Sequence, residues 1–271
     1  MTTGLNRLFR LRLSLMNGVA AAAGGLLFTG GRQANGVWTV ALGVVLLAAG
    51  ASALNQVMER REDRLMARTR QRPVARGSMH PAAAVLIGTV TALAGCAVTA
   101  SGGGIRAALL GAGGVIWYLA LYTPLKRRTP FALLPGAACG ALPPVVGWAG
   151  AGGPVADHRI ILVAGLVFLW QIPHFWLYQR RHAADYRAAG FPLLDAVTAP
   201  AHLPGLFMVW LTSLAAATLL LPLVGIAPSG NPAWYPLLCL PPALLALRNE
   251  RILFTCLNLF PLLLLLPLLI D

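Results

Sequence analysis

The stretch Asn55-Gln56-Val57-Met58-Glu59-Arg60-Arg61-Glu62-Asp63-Arg64-Leu65-Met66-Ala67-Arg68-Thr69-Arg70-Gln71-Arg72-Pro73 decides how this chain is read. It begins at the end of a long apolar run and carries three of the chain's eight acids. Asn55, Glu59 and Asp63 are spaced i, i+4, i+8. On a continuing helix each step of four residues turns by only about 40°, so the three oxygen-bearing side chains share one face. Hard cations take such oxygen ligands. Arg68, Arg70 and Arg72 follow, and guanidinium groups pair well with phosphate. Two readings stay open at this level. One is a site for a metal–diphosphate at a membrane surface. The other is a solvated, salt-bridged loop of the kind membrane proteins carry.

Outward from this stretch the chain is apolar. Of 271 residues, 58% are hydrophobic and 11% charged, with a mean hydropathy of +0.72. Soluble domains carry about 25% charged residues, so this is an integral membrane protein. Nine runs are long and apolar enough to suggest spans: 14–30, 36–56, 81–101, 105–123, 130–150, 160–178, 203–226, 232–247 and 252–270. The fifth holds Pro135, Pro143 and Pro144 and is expected to kink; the eighth is short and holds Pro236, Pro241 and Pro242. The net charge of +13 would suggest a nucleic-acid partner in a soluble protein. Here the charge lies in short loops between apolar runs, which excludes that reading and sets orientation instead. With a cytoplasmic N-terminus, all but Arg32, Arg106 and Arg159 of the 21 basic residues fall on the cytoplasmic side. Cys96, Cys139, Cys239 and Cys256 sit inside apolar runs without metal or redox spacing and read as small buried hydrophobes. The apolar run after Arg7, Arg10 and Arg12 reads as a first membrane helix rather than a cleaved signal.

The loops after the second and sixth runs hold most of the acids: Glu59, Glu62 and Asp63 in one, Asp185 and Asp195 in the other. The pairing suggests one polar site built from two similar loops. His174, among Trp170, Phe175 and Trp176 near a span end, is a candidate functional group or a hydrogen-bonded interfacial histidine. His80, His158, His182 and His202 read as solvated loop residues. Tyr122 and Tyr186 stay open between site and interface roles; Tyr178 reads as interfacial.

Three stretches stand out in order along the chain. The first is Asn55-Gln56-x-x-Glu59-x-x-x-Asp63-x-x-Met66-x-Arg68-Thr69-x-x-Arg72-Pro73. The second is Tyr122-Thr123-Pro124-Leu125-Lys126-Arg127, followed by Gly140-Ala141-x-Pro143-Pro144-x-x-Gly147-Trp148. The third is Pro173-His174-Phe175-Trp176, then Asp185-Tyr186-x-x-Ala189-Gly190-x-Pro192. Together these stretches resemble the UbiA superfamily of membrane prenyltransferases, in the form most similar to the branch that farnesylates protohaem IX. Where that family usually has two adjacent acids before the third stretch's tyrosine, this chain has Ala184 and Asp185, and Arg61 stands where many relatives have a third acid.

The resemblance implies an all-α integral membrane fold, a single domain over residues 1–271. Nine transmembrane helices would surround a central cavity that opens to the cytoplasmic face of a bacterial plasma (inner) membrane. It implies Mg²⁺ held by Asn55, Glu59, Asp63 and Asp185, with Asp63, Asp185, Lys126 and His174 catalytic. Arg68, Arg72, Lys126, Arg127 and Tyr122 would bind the diphosphate. Farnesyl diphosphate and haem b would be the substrates, and haem-modifying or oxidase-assembly proteins possible downstream partners. Ala138, Gly140 and Ala141 would make room for the tail. Two other readings differ in acceptor or class: a quinone-type aromatic acceptor on the same fold, or a transporter or haem-handling protein without catalysis.

Overall fold

Apolar runs long enough to bury their own backbone hydrogen bonds fold as helices, and the described residues contain no strand. The computed structural model describes residues 2–32, 35–194, 203–226, 232–247 and 249–270. Asp195 and His202 lie outside them. A short helix α1 (Thr2–Leu8) leads into α2 (Leu11–Thr29) and α3 (Asn35–Met58). Two short helices, α4 (Arg60–Leu65) and α5 (Pro73–Arg76), carry the quoted polar stretch. Then come α6 (Pro81–Ile116), a π-helical turn at Trp117–Tyr122, α7 (Thr123–Leu125) and α8 (Leu133–Gly150). The chain continues through α9 (His158–Arg181), α10 (Ala183–Ala188), α11 (Leu203–Thr218), α12 (Tyr235–Leu244) and α13 (Glu250–Ile270). Among the described residues six segments have the length and apolar character of a membrane span, and α11 and α12 are shorter apolar helices. This is a multi-pass membrane protein.

One of the six segments, Pro81–Leu125, is 45 residues long, roughly twice a crossing. It doubles back at Gly104, whose φ of 74° and ψ of 176° lie in a region open essentially to glycine alone. Two sets of neighbours along α3 establish the reversal. On the first leg Gly102 meets Gly36, Thr99 meets Gly43 and Gly88 meets Gly50. On the second leg Gly111 meets Leu47, and Asn55 Nδ2 donates to Thr123 Oγ1 at 3.1 Å. The first leg therefore runs antiparallel to α3 and the second parallel to it.

The pair α2–α8 packs backbone to backbone. A Cβ on Gly24 would lie 2.0 Å from the Pro144 carbonyl oxygen, and one on Gly147 only 1.7 Å from that of Ala21. Small residues allow such approach in apolar solvent, where close packing replaces the hydrophobic effect as the force between helices. Pro143 and Pro144 sit inside a single helix, and neither residue breaks α8. One apolar cluster centred on Trp148, Trp234, Leu166, Leu257 and Phe260 ties α8 and α9 to the C-terminal helices. A second, of Ala21, Val40, Val44, Ala107 and Val146, joins α2, α3, the second leg of α6 and α8. All these helices bring to one end of the bundle the termini that carry the polar motifs.

Candidate functional site

α3 ends at Met58, and Glu59 departs from helical geometry with φ −103° and ψ 15°. The backbone ladder nevertheless continues. Glu59 N–H donates to the Asn55 carbonyl at 2.9 Å, and Asp63 N–H to the Glu59 carbonyl at 2.8 Å. The helical phase survives the break, and Asn55, Glu59 and Asp63 all line one cavity of about 410 Å³. All three are buried, Asp63 completely. Gln56 points elsewhere: its Nε2 donates at 2.8 Å to both the Arg7 and Leu8 carbonyls and so anchors the end of α1.

Each acid meets a cation. Arg72 reaches both Asp63 carboxylate oxygens at 2.9 Å. Lys126 Nζ lies 2.5 Å from Glu59 Oε1 as an ion pair. Such pairing is what keeps buried charge tolerable, because an isolated ion in this environment costs several kcal/mol. Enclosure among the walls of the site pulls the Lys126 ammonium below the usual lysine range, and Glu59 opposes that shift. Lys126 also stands 5.6 Å from the Tyr122 ring centre and 5.4 Å from that of Phe191.

The second acidic loop does reach the first. Asp185 accepts from the Ala67 N–H at 3.0 Å and the Arg68 N–H at 3.3 Å. Its carboxylate is engaged by backbone donors and does not line the cavity with Glu59 and Asp63. Among the described residues no three His, Cys, Asp or Glu side chains gather closely enough to hold a metal ion by themselves. Arg127 does not line the cavity. It pairs with Glu62 at 3.0 Å and donates to the Met58 carbonyl at 2.6 Å, the unsatisfied C-terminal end of α3. Arg68, Arg72, Lys126 and Tyr122 do line the cavity. The Arg68 guanidinium stands over the Tyr178 ring, 5.3 Å from its centre.

His174 faces the cavity within an aromatic stack, 5.0 Å from Trp170 and 5.3 Å from Phe254 between ring centres. Its buried Nδ1 has no hydrogen-bond partner. Away from the charged groups the cavity turns apolar, walled by Leu47, Ala51, Leu110, Gly114, Leu142 and Val146. From Asn55 down to Val44 the helical rise gives a depth of roughly 16 Å. The tail room differs from the expectation: Gly140 lines the cavity, Ala141 is buried in the bundle core, and Ala138 is not on the wall.

Arg10, Tyr118, Gln171, Tyr186 and Phe191 also line the cavity. Sequence reasoning counted Arg10 only as an orienting charge and passed over Tyr118. The π-helical turn aims Tyr118 and Tyr122 inward, stacked at 5.6 Å, a register that helical spacing does not reveal. Burial pushes the Tyr186 hydroxyl above its ordinary range, which keeps it a donor. The arrangement joins oxygen acids, guanidinium and ammonium groups to an apolar hollow, and so suits an anion with a long hydrocarbon tail.

Residues 15–258 match the model of the UbiA prenyltransferase family. The chain is 52% identical over 266 residues to the protoheme IX farnesyltransferase of Geobacter sulfurreducens, covering 97% of each chain. Among solved structures it resembles a digeranylgeranylglyceryl phosphate synthase with a TM-score of 0.76 at 13% identity, covering 99% of this chain and 98% of that one. It also resembles a UbiA homolog from Archaeoglobus fulgidus bound to GPP and Mg²⁺, with a TM-score of 0.64 at 14% identity, covering 98% of this chain and 99% of that one.

Proposed function

Because this chain belongs to the UbiA prenyltransferase family, we propose that it transfers the farnesyl group of farnesyl diphosphate to a vinyl group of protohaem IX (haem b), giving haem O. One observation carries the proposal: a single cavity joins buried acids and cations at one end to a deep apolar wall at the other. The near full-length likeness to a protoheme IX farnesyltransferase supports the choice of substrates. In this reading residues 1–271 form one domain of nine spans in a bacterial inner membrane. The distribution of basic residues supports a cytoplasmic N-terminus and a cavity opening on that side.

The residues fit a divalent cation. Glu59 and Asp63 present buried carboxylate oxygens, hard donors, to the same cavity as the Asn55 amide. Mg²⁺ usually takes one or two carboxylates and completes its shell with phosphate oxygens and water, which suits so sparse an acid set. Asn55, Glu59 and Asp63 would hold it, and when bound it would supply charge to neutralise the diphosphate. Arg68, Arg72 and Lys126 bind the diphosphate oxygens, and the Tyr186 hydroxyl donates to them. These preorganised cations meet the negative charge that develops as the bond between the prenyl carbon and the diphosphate oxygen breaks. The apolar wall keeps water from the prenyl cation until the vinyl carbon attacks it. Water then adds to the cation left on the porphyrin side, and the unpartnered Nδ1 of His174 takes the proton that this water loses. Asp185 holds the 66–68 loop, and through it Arg68, in place.

The test is incubation of the purified full-length protein with farnesyl diphosphate, Mg²⁺ and haem b, followed by mass analysis. The expected product carries one farnesyl group and one hydroxyl group, with diphosphate released in equal amount. Diphosphate release only with an aromatic quinone precursor, or none with either acceptor, would overturn the proposal.

A further inference from the structure

The corner between α1 and α2 places a charged side chain in the cavity at a conformational cost. Arg10 is the one non-glycine among the described residues with a positive φ, 45° with ψ 51°. A left-handed residue other than glycine or asparagine costs roughly 1–2 kcal/mol, and such outliers concentrate where function requires the side chain. The corner is held firmly. Leu8 is fully buried against Ala53, Val74 and Ala84, and Gln56 caps the Arg7 and Leu8 carbonyls. Ser14 Oγ donates to the Phe9 carbonyl at 2.7 Å.

The Arg10 side chain does not cap α2. It is half-buried, lines the cavity, and has no acid partner among the described residues, whereas Arg72 and Lys126 each have one. Arg10 lines the cavity together with Leu13 and Asn17 of α2. An unpaired, preorganised guanidinium fits a carboxylate bidentately. Under the proposed function, the acceptor is a flat porphyrin whose two propionates project from an edge remote from at least one vinyl.

We propose that Arg10 binds a propionate carboxylate of the acceptor and so sets which edge of the porphyrin enters the site. The inference rests on the proposed function. It is tested on the full-length protein in lipid nanodiscs by spectral titration with haem b and with its dimethyl ester, which lacks the carboxylates. Wild type is expected to bind haem b about tenfold more tightly than the ester, the scale of one charge-assisted contact. Arg10→Gly relieves the left-handed strain, so it should melt no lower than wild type yet lose that preference. Arg10→Lys should keep part of it. Inhibition by inorganic pyrophosphate should be unchanged in both. An Arg10→Gly protein that still prefers haem b, or one weakened toward pyrophosphate, overturns the assignment. Wild type that binds neither porphyrin sinks the proposed function and this inference together.

Discussion

At the scale of single residues the site is a set of charges that stabilise one another until substrate arrives. Asp63 is fully buried, and Arg72 Nη1 donates to both its carboxylate oxygens. Asp63→Asn keeps the shape, removes the charge, and leaves the guanidinium unpaired. Prenyl transfer should fall by about 10²-fold or more, the range seen when one preorganised electrostatic partner is lost. Because breaking a buried pair costs about 3–5 kcal/mol, the melting temperature should fall too, and initial rates need to be normalised to folded protein. A variant that transfers farnesyl at the wild-type rate would remove Asp63 from the mechanism. Lys126 supplies a pH prediction. Burial lowers its pKa, so its positive charge is lost at a lower pH than for a free lysine, and transfer should decline as pH rises through the alkaline range. Lys126→Arg, whose guanidinium stays charged, should move that decline to higher pH; an unmoved profile would assign the limb to another group.

At the scale of elements, the hairpin of α6 and the α2–α8 contact hold the cavity open. Gly104 takes a conformation that an L-residue resists. Gly104→Ala should lower stability by about 1–3 kcal/mol, read as a lower melting temperature in detergent with activity per folded molecule retained. Gly147 allows no Cβ at all, since one would meet the Ala21 carbonyl at 1.7 Å. Gly147→Ala must push α8 from α2, two helices that contribute Leu13 and Val146 to the cavity lining. Here stability and activity should fall together, by about 1–3 kcal/mol for the former. Intact turnover in Gly147→Ala would show that the site tolerates a looser bundle. The quoted stretch behaves as an element too. The hydrogen-bond ladder through Glu59 preserves helical phase although α3 ends one residue earlier. For this reason a spacing rule drawn for one continuous helix still predicts which three residues face inward. The same rule is silent on Asp185, because a lone acid on a short helix has no periodicity to read.

At the scale of the whole molecule, the polar motifs collect at one end of the bundle, and the Gly104 reversal and the α8–α9 connection lie at the other. Single-cysteine variants at exposed positions of the two ends, Ser78→Cys and Ala156→Cys, should separate them in vesicles with a membrane-impermeant thiol reagent. Ser78→Cys should label in everted vesicles and Ala156→Cys in right-side-out vesicles. The opposite pattern would invert the proposed orientation.

The membrane class, the approximate positions of the helices and the inward face of Asn55, Glu59 and Asp63 were legible in the sequence, because hydropathy and helical period are local properties of consecutive residues. The departures of Asp185 and Arg127 from the cavity, and the entry of Arg10 and Tyr118 into it, were decided only by tertiary structure. Each depends on where a distant backbone offers a donor, a carbonyl or a corner: Ala67 for Asp185, Met58 for Arg127, Gln56 for the turn that carries Arg10. A side chain's direction at a helix end is set by partners far along the chain, and no spacing between neighbours records them.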